Sequence, residues 1–199
     1  MISIQNQVLR KIVLTAAISS FALQASVVSA APVSPAAVVV EDKRANSLSQ
    51  LQQQSSLIAL GQFSTALKEY PTNRTVYGGK LVNYVQTFLI RKTYKGTTLR
   101  TVKVINTGVF PRPLTTSPLN LVYPGPFAEN EDYVVFLRPV PGTEFYSLVG
   151  ILQGIYPVVR GRSIAFRGFG FGELHDLPLQ EMEKRIRQSL TLSSDAAIR

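Results

Sequence analysis

The sequence predicts a mainly β protein of the α+β class, built as a small antiparallel barrel with one helix before it and one after it. Three observations support this prediction. Between residues 75 and 166, several short runs are rich in β-branched and aromatic residues, which favour strands. Glycine and proline residues that favour turns separate these runs. Apolar residues recur at helical spacing at both ends of this region.

Two of the predicted strands show their pattern most clearly. Residues 80–91 are rich in β-branched and aromatic side chains, and residues 98–106 alternate, so that Val102 and Val104 share one side. Five prolines between residues 107 and 131 exclude a helix and a central strand there, and they predict a long loop. The remaining predicted strands cover residues 132–138, 145–152, 155–159 and 163–166.

The two flanking segments are predicted to be helical. In segment 45–74, a helix is expected over residues 46–69, where apolar residues recur every three or four positions until Tyr70-Pro71 ends the pattern. The barrel with the C-terminal helix spans residues 75–192, and Asp176 is the expected N-cap of that helix. Its apolar stripe, which should lie against the sheet, consists of Leu179, Met182, Ile186 and Leu190, and residues 193–199 are predicted to form a frayed tail.

Residues 1–30 have the three parts of a secretory signal. Arg10 and Lys11 precede an apolar run too short for a membrane span, and Val28-Ser29-Ala30 fits a signal-peptidase site. The sequence therefore predicts cleavage after Ala30 and an extracellular location. A retained membrane anchor is the alternative.

Segment 31–44 is predicted to be a linker or propeptide outside the fold. It is rich in alanine and proline and ends at Lys43-Arg44. Processing proteases of the eukaryotic secretory route require such a dibasic pair in an exposed, extended segment. Two interpretations stay open: cleavage there, which would leave Ala45 as the N-terminus, or a solvated linker that remains attached.

Composition limits the chemistry available to the chain. It has no cysteine, which excludes thiol nucleophiles, thiolate metal sites and redox chemistry, so burial alone must hold the domain together. The net charge is +9, and loss of the signal would leave 19 basic against 12 acidic residues, a net charge of +7. Such a charge favours polyanionic partners, although it also aids solubility. We rank acidic polysaccharide or a cell-surface polymer above nucleic acid, which a secreted protein rarely meets.

Several short runs carry a family resemblance. Residues 77–82, 88–96, 102–104 and 133–137 resemble the strands of netrin-like domains, the OB-type barrels that include the tissue inhibitors of metalloproteinases. The resemblance covers about residues 75–152 and implies an OB-like antiparallel barrel. Netrin-like domains normally contain several disulfides, and the metalloproteinase inhibitors bind the protease zinc through an N-terminal cysteine. Without cysteine, this chain cannot use that inhibitory mechanism.

The sequence contains no pattern typical of a catalytic or metal site. His175 is the only histidine, and Glu173 and Asp176 beside it are better explained by a polar loop than by a triad, whose members are usually dispersed. One histidine without cysteine nearly excludes zinc. The spacing of the acidic residues 129, 131 and 132 does not match an EF-hand calcium loop. We therefore expect no metal and no cofactor.

Hydrolysis by paired carboxylates stays open as an alternative. Glycoside hydrolysis needs two acids about 5–10 Å apart. Glu69, Glu144 and Glu173 are candidates that the sequence cannot place together. Phosphate-binding Gly-Lys-Ser/Thr loops and the Gly-x-Ser-x-Gly motif are absent.

The candidate binding site is a basic loop with aromatic residues. Arginines beside exposed aromatic rings can bind a polyanion or stack on sugar rings. In the alternative interpretation, the phenylalanines cover the end of the barrel and the arginines are merely solvated. A second basic strip near Lys92 and Lys95 is interpreted as a solvated hairpin tip. The candidate site consists of Arg160, Arg162, Arg167, Phe169 and Phe171.

These observations predict a secreted, non-enzymatic binding or matrix protein whose candidate ligand is an acidic polymer. A secreted hydrolase of unrecognised type and a secreted inhibitor or effector acting on another protein are the alternatives. In a eukaryotic host, Asn73 is expected to carry an N-glycan, because Asn73-Arg74-Thr75 is the only acceptor triplet and follows Pro71 in a predicted turn.

Overall fold

Five strands form a closed ring in the computed structural model, which describes the backbone of residues 33–196 and the side chains of residues 33–188. Around the ring the order is β1-β2-β3-β5-β4, closed by pairing of β4 with β1. The predicted small OB-like barrel is thereby confirmed, except that β3 and β5 pair in parallel. The ring strands are β1 (Leu57–Val76), β2 (Gly79–Lys95), β3 (Thr101–Phe110), β4 (Asp132–Pro139) and β5 (Phe145–Leu148).

Two short strands and three helices complete the fold. Strands β6 (Ile155–Val159) and β7 (Arg162–Ser163) extend the sheet from β4. The helices are α1 (Leu48–Gln54), α2 (Leu119–Val122) and α3 (Leu179–Ala196). Within the described part of the chain, none of them is long and apolar enough to cross a membrane.

The helix predicted over residues 46–69 is wrong beyond Gln54, where α1 ends. Every second residue in the first half of β1 faces the barrel interior, which is the periodicity of a strand. Pairing with β2 on one edge and β4 on the other overrides the helical spacing of its leucines. Gly61 permits this pairing, because a Cβ atom there would lie 2.1 Å from the carbonyl oxygen of Leu89 in β2.

The other predicted strands are present with shifted ends. The strand predicted at 145–152 stops at Leu148, and a 3₁₀ turn follows at Ile151–Gly154. The strand predicted at 163–166 is reduced to β7. The proline-rich loop contains one helical turn, α2, which begins directly after Pro118, where a missing N–H is tolerated.

Helix α3 packs on the outside of the barrel as predicted, with Met182 and Ile186 fully buried in an apolar cluster. It differs from the prediction at both ends. Asp176 lies before the helix with a φ of 53°, so it lacks the extended backbone of an N-cap, and its carboxylate pairs with Arg162 instead. The helix continues to Ala196, through the first part of the predicted tail.

Residues 33–44 form a strap along the outside of the barrel, which corrects their predicted place outside the fold. The side chain of Val38 is 4% exposed and packs with Val85, Ile105 and Phe145. The amide of Asn83 donates to the carbonyl oxygens of two strap residues, Pro35 and Val38, at 2.8 Å each. Composition could not reveal this docking, because it depends on a single buried valine and on backbone carbonyl groups that accept from Asn83.

Candidate binding site

The arginines of the predicted basic loop lie at and after the turn between β6 and β7. Arg160 and Arg167 are exposed and form no ion pair within the described part of the chain. The guanidinium of Arg162 donates to the Asp176 carboxylate at 2.5 Å, and this bond holds the pKa of that carboxyl below its usual value. Two of the three predicted arginines are therefore free for a ligand.

Both phenylalanines of the same loop pack against the protein. Phe169 lies on the barrel-core cluster, and the guanidinium carbon of Arg44 is 4.5 Å from its ring centroid. Phe171 packs on the cluster below α3, and its backbone N–H donates to the Tyr156 hydroxyl at 3.0 Å. These contacts favour the alternative interpretation, in which the two rings cover apolar clusters. A binding role of this loop stays a prediction that depends on its arginines.

Of the groups considered for catalysis, His175 and Asp176 lie close together, but the Asp176 carboxylate pairs with Arg162. His175 is exposed, and its Nδ1 accepts a hydrogen bond from a backbone N–H. Glu144 forms an ion pair with Lys103 at 2.5 Å. Glu69 and Glu129 line different cavities, and neither of these two cavities has a second carboxylate in its wall. No group of three or more possible metal ligands occurs among the described residues.

The modification and processing residues are placed only in part. Asn73 is exposed, but it lies in β1 rather than in the expected turn, and its glycosylation stays a prediction. Lys43 is exposed, whereas Arg44 forms an ion pair with Asp42 at 3.1 Å. Ala30, with the whole predicted signal, lies outside the described residues.

A three-stranded arm, which sequence reasoning missed, forms a second candidate site. It consists of residues 67–76 of β1, 79–86 of β2 and 105–110 of β3. These three segments pair with one another and extend beyond the part of the sheet that pairs with β4 and β5. The turn at its tip carries Tyr77, whose side chain is 98% exposed.

The inner face of the arm continues the interior face of the barrel. In the register of the strands, Glu69 lies opposite Tyr84, Pro71 lies opposite Val82, and Lys80 lies opposite Phe110. Because side chains alternate along a strand, residues two apart share this face. The face is formed by Leu67, Glu69 and Pro71 of β1, by Lys80, Val82, Tyr84 and Gln86 of β2, and by Gly108 and Phe110 of β3.

The proline-rich loop 111–131 is bonded against this inner face. The amide of Gln86 accepts from the backbone N–H of Phe127 at 2.9 Å and donates to its carbonyl oxygen at 3.0 Å. The backbone N–H of Gly125 donates to the carbonyl oxygen of Thr107 at 3.1 Å. Phe127 also stacks on the core residue Phe63, with 5.3 Å between ring centroids. The loop is therefore held at several points.

Two cavities open along the inner face. The first measures about 780 Å³ and lies between β1 and the loop. The second measures about 630 Å³ and is the more apolar, with the ring of Phe110 58% exposed in its wall. Residues of the first include Leu67, Arg112, Asn120, Phe127 and Glu129, and those of the second include Glu69, Pro71, Lys80, Val82, Phe110 and Pro111.

Comparison with known proteins adds no relative: no protein-family model and no curated protein sequence matches this chain. The resemblance to netrin-like domains therefore stays a prediction from short motifs.

Proposed function

We propose that this protein is a non-enzymatic binding protein of the cell exterior, and that its ligand is an acidic polymer. The observation that carries the proposal is an excess of unpaired positive charge. Among residues 33–188, the cations without an ion-pair partner are Lys43, Lys68, Arg74, Lys80, Lys95, Arg100, Arg112, Arg160, Arg167 and Lys184; the acids without one are Glu69, Glu129, Glu131 and Glu173.

Cations without an ion-pair partner give the surface a positive field that small ions must screen. A polyanion that displaces these ions gains affinity from their release. Lys68, Arg74 and Lys80 lie on the arm, and Arg112 lies just beyond it. Arg160 and Arg167 lie in the predicted basic loop. The arm and this loop are therefore two candidate binding surfaces.

The enzymatic alternative has less support from the described residues. Glycoside hydrolysis through paired acids needs two carboxyl groups across one cleft, and the carboxylates here line separate cavities. The extracellular part of the proposal is supported by the signal-like residues 1–30 and by their apolar run, which is short for a membrane span.

Chromatography of the purified exported protein on immobilised heparin tests the proposal. We expect retention that falls steeply with salt, whereas a neutral matrix of the same type should retain nothing. Two double variants compare the surfaces: Lys80→Ala with Arg112→Ala on the arm, and Arg160→Ala with Arg167→Ala in the loop.

A third double variant, Lys92→Ala with Lys103→Ala, is the matched control. It removes the same charge, but from residues that are already paired with Glu183 and Glu144. If the parent protein is not retained, or if all three variants elute equally early, the charge is a solubility feature and the proposal is wrong.

A further inference from the structure

We propose that the inner face of the arm binds an extended sugar chain, with Phe110 as the stacking platform. This inference rests on the proposed function and names its site and its ligand class. It is carried by the arrangement of the two cavities, by the mixture of side chains in their walls and by the position of the strap.

The two cavities lie one after the other along the same face of β1. Leu67 lines the first, and Glu69 and Pro71 line the second. Residues two apart on a strand are about 6.6 Å apart. On the opposite wall, Arg112 of the first cavity directly follows Pro111 of the second. Cavities in such a row fit a linear molecule that passes through both better than a compact one.

The second cavity offers a flat apolar surface. Phe110 packs in none of the three apolar clusters of the described residues. Pro71 and Pro111 lie near its exposed ring in the same wall. An exposed aromatic ring in a groove is available for stacking, and sugar rings and nucleobases both present flat faces that can stack on it.

The polar side chains distinguish between these ligands. Lys80 and Arg112 offer charged donors to carboxylate or sulfate groups, whereas Glu69 and Glu129 offer acceptors to hydroxyl groups. A polyphosphate chain offers no hydroxyl donors along its length to the two carboxylates. A uronic acid chain is also charged at every unit, but its hydroxyl groups can donate to Glu69 and Glu129 while its acids pair with Lys80 and Arg112. These four residues together therefore point to a polysaccharide with uronic acid or sulfate groups.

The face is held in shape before a ligand arrives. A Cβ atom at Gly108 would lie 2.7 Å from the Cα of Gly125, and one at Gly79 would lie 2.5 Å from the carbonyl oxygen of Phe110. Backbones this close, together with the two bonds from Gln86 to Phe127, leave the walls little freedom. A preformed groove loses less entropy when it binds a chain molecule.

The strap leaves this face free while it covers another. OB barrels commonly bind oligosaccharides and oligonucleotides on the face of strands 2 and 3. Here Val85 and Ile105 on the outer side of those strands pack against Val38 of the strap. On the inner side of the same two strands the loop 111–131 covers Tyr84, Gln86 and Gly108, and the exposed part is the end of the arm with Lys80 and Phe110.

Titration with an oligomer of galacturonic acid tests the inference, with inorganic polyphosphate as the competing polyanion. We expect Phe110→Ala to weaken binding of the uronic acid oligomer about tenfold, because the ring on which the sugar stacks is lost. Phe110→Tyr should retain binding because it keeps the ring. Leu114→Ala is the matched control: it truncates a side chain in the same loop that is 81% exposed and lines neither cavity.

The outcomes separate this inference from the proposed function. If heparin retains the parent and Phe110→Ala equally, the protein binds acidic polymers but the arm is not the site. If polyphosphate binds as tightly as the uronic acid oligomer and neither depends on Phe110, the ligand class is wrong. If no polyanion binds at all, the proposed function itself fails.

Discussion

The side-chain amide of Gln153 is bonded to both backbone polar groups of Ala45. It accepts from the Ala45 N–H at 2.7 Å and donates to the Ala45 carbonyl oxygen at 2.9 Å, and both bonds are buried. Gln153 belongs to the 3₁₀ turn that follows β5, and Ala45 is the first residue after the strap. One side chain therefore fixes the junction between the strap and the segment that leads into α1.

Replacement of this amide should destabilise the protein. Gln153→Ala leaves a buried N–H and a buried carbonyl oxygen without partners. We therefore expect the free energy of unfolding to fall by about 1–3 kcal/mol. Urea denaturation measures the change. Gln62→Ala is the control, because that amide donates to Asn130 and Asp132 near the surface. Its loss should lower the free energy of unfolding by less than the loss of the Gln153 amide. Equal effects of the two substitutions would contradict this account of the junction.

The mature exported protein should begin at Ala31 rather than at Ala45. Cleavage after Arg44 needs an extended, accessible segment, and the backbone of Ala45 is held by Gln153 while Val38 anchors the strap. Intact-mass measurement of the protein from culture fluid identifies the N-terminus directly. In the folded protein, Gln153→Ala should speed cutting at Lys43-Arg44 by a trypsin-type protease. A natural product that begins at Ala45 would show that the strap is removed despite these contacts.

Substitution of Gly108 should loosen the wall of the arm. The methyl group of Gly108→Ala would lie 2.7 Å both from the Cα of Gly125 and from a ring carbon of Tyr84, so the loop or the strand must move. We expect a loss of about 1–3 kcal/mol in the free energy of unfolding and weaker retention on heparin. Gly172→Ala is the control, since nothing lies within 4 Å of a Cβ atom there. Thermal unfolding of both variants measures whether Gly108→Ala loses more stability than Gly172→Ala.

Buried tyrosines should make the fold sensitive to alkali, since burial raises the pKa of Tyr84 and Tyr156 as well as those of Tyr94 and Tyr133. Burial raises the pKa of Tyr94 to about 12, and burial followed by the charge of Glu131 raises that of Tyr133 to about 12, from an ordinary value of 10.0. The unfolded chain loses these protons first. The stability that the neutral hydroxyls contribute is therefore complete below pH 10 and is lost as the pH rises towards 12.

Urea unfolding at pH values on either side of this window measures the loss, and tyrosinate absorbance reports the ionisation. Tyr133→Phe should reduce the alkaline loss of stability, because its ring cannot ionise. A parent protein whose stability is constant from pH 10 to 12 would refute the prediction.

The sequence predicts those parts of the fold that depend on local pattern. Strand β3 shows alternation, β2 and β4 are rich in β-branched and aromatic residues, and α3 has a clear apolar stripe. The helix predicted over the first part of β1 is wrong because the spacing of its leucines suits a helix as well as a strand. Its state is decided by two partner strands that are distant in sequence.

The candidate site was harder to predict for the same reason. Lys80 and Phe110 lie thirty positions apart and become neighbours only through the register of β2 and β3. The signal available was a strand that ends in an aromatic residue before proline, but nothing local shows that its ring is exposed. Phe169 and Phe171 are the reverse case: a glycine-rich context suggested open rings, and tertiary contacts cover them.

The closure of the ring has a kinetic consequence. Leu57 pairs with Leu137, and β5 follows later still, so a chain that emerges N-terminus first can pair β1, β2 and β3 long before the barrel can close. Contacts between such distant residues form slowly, because the entropy of a large loop is lost before any contact compensates for it. A polypeptide of this topology stays unfolded for longer than a helical bundle of equal length.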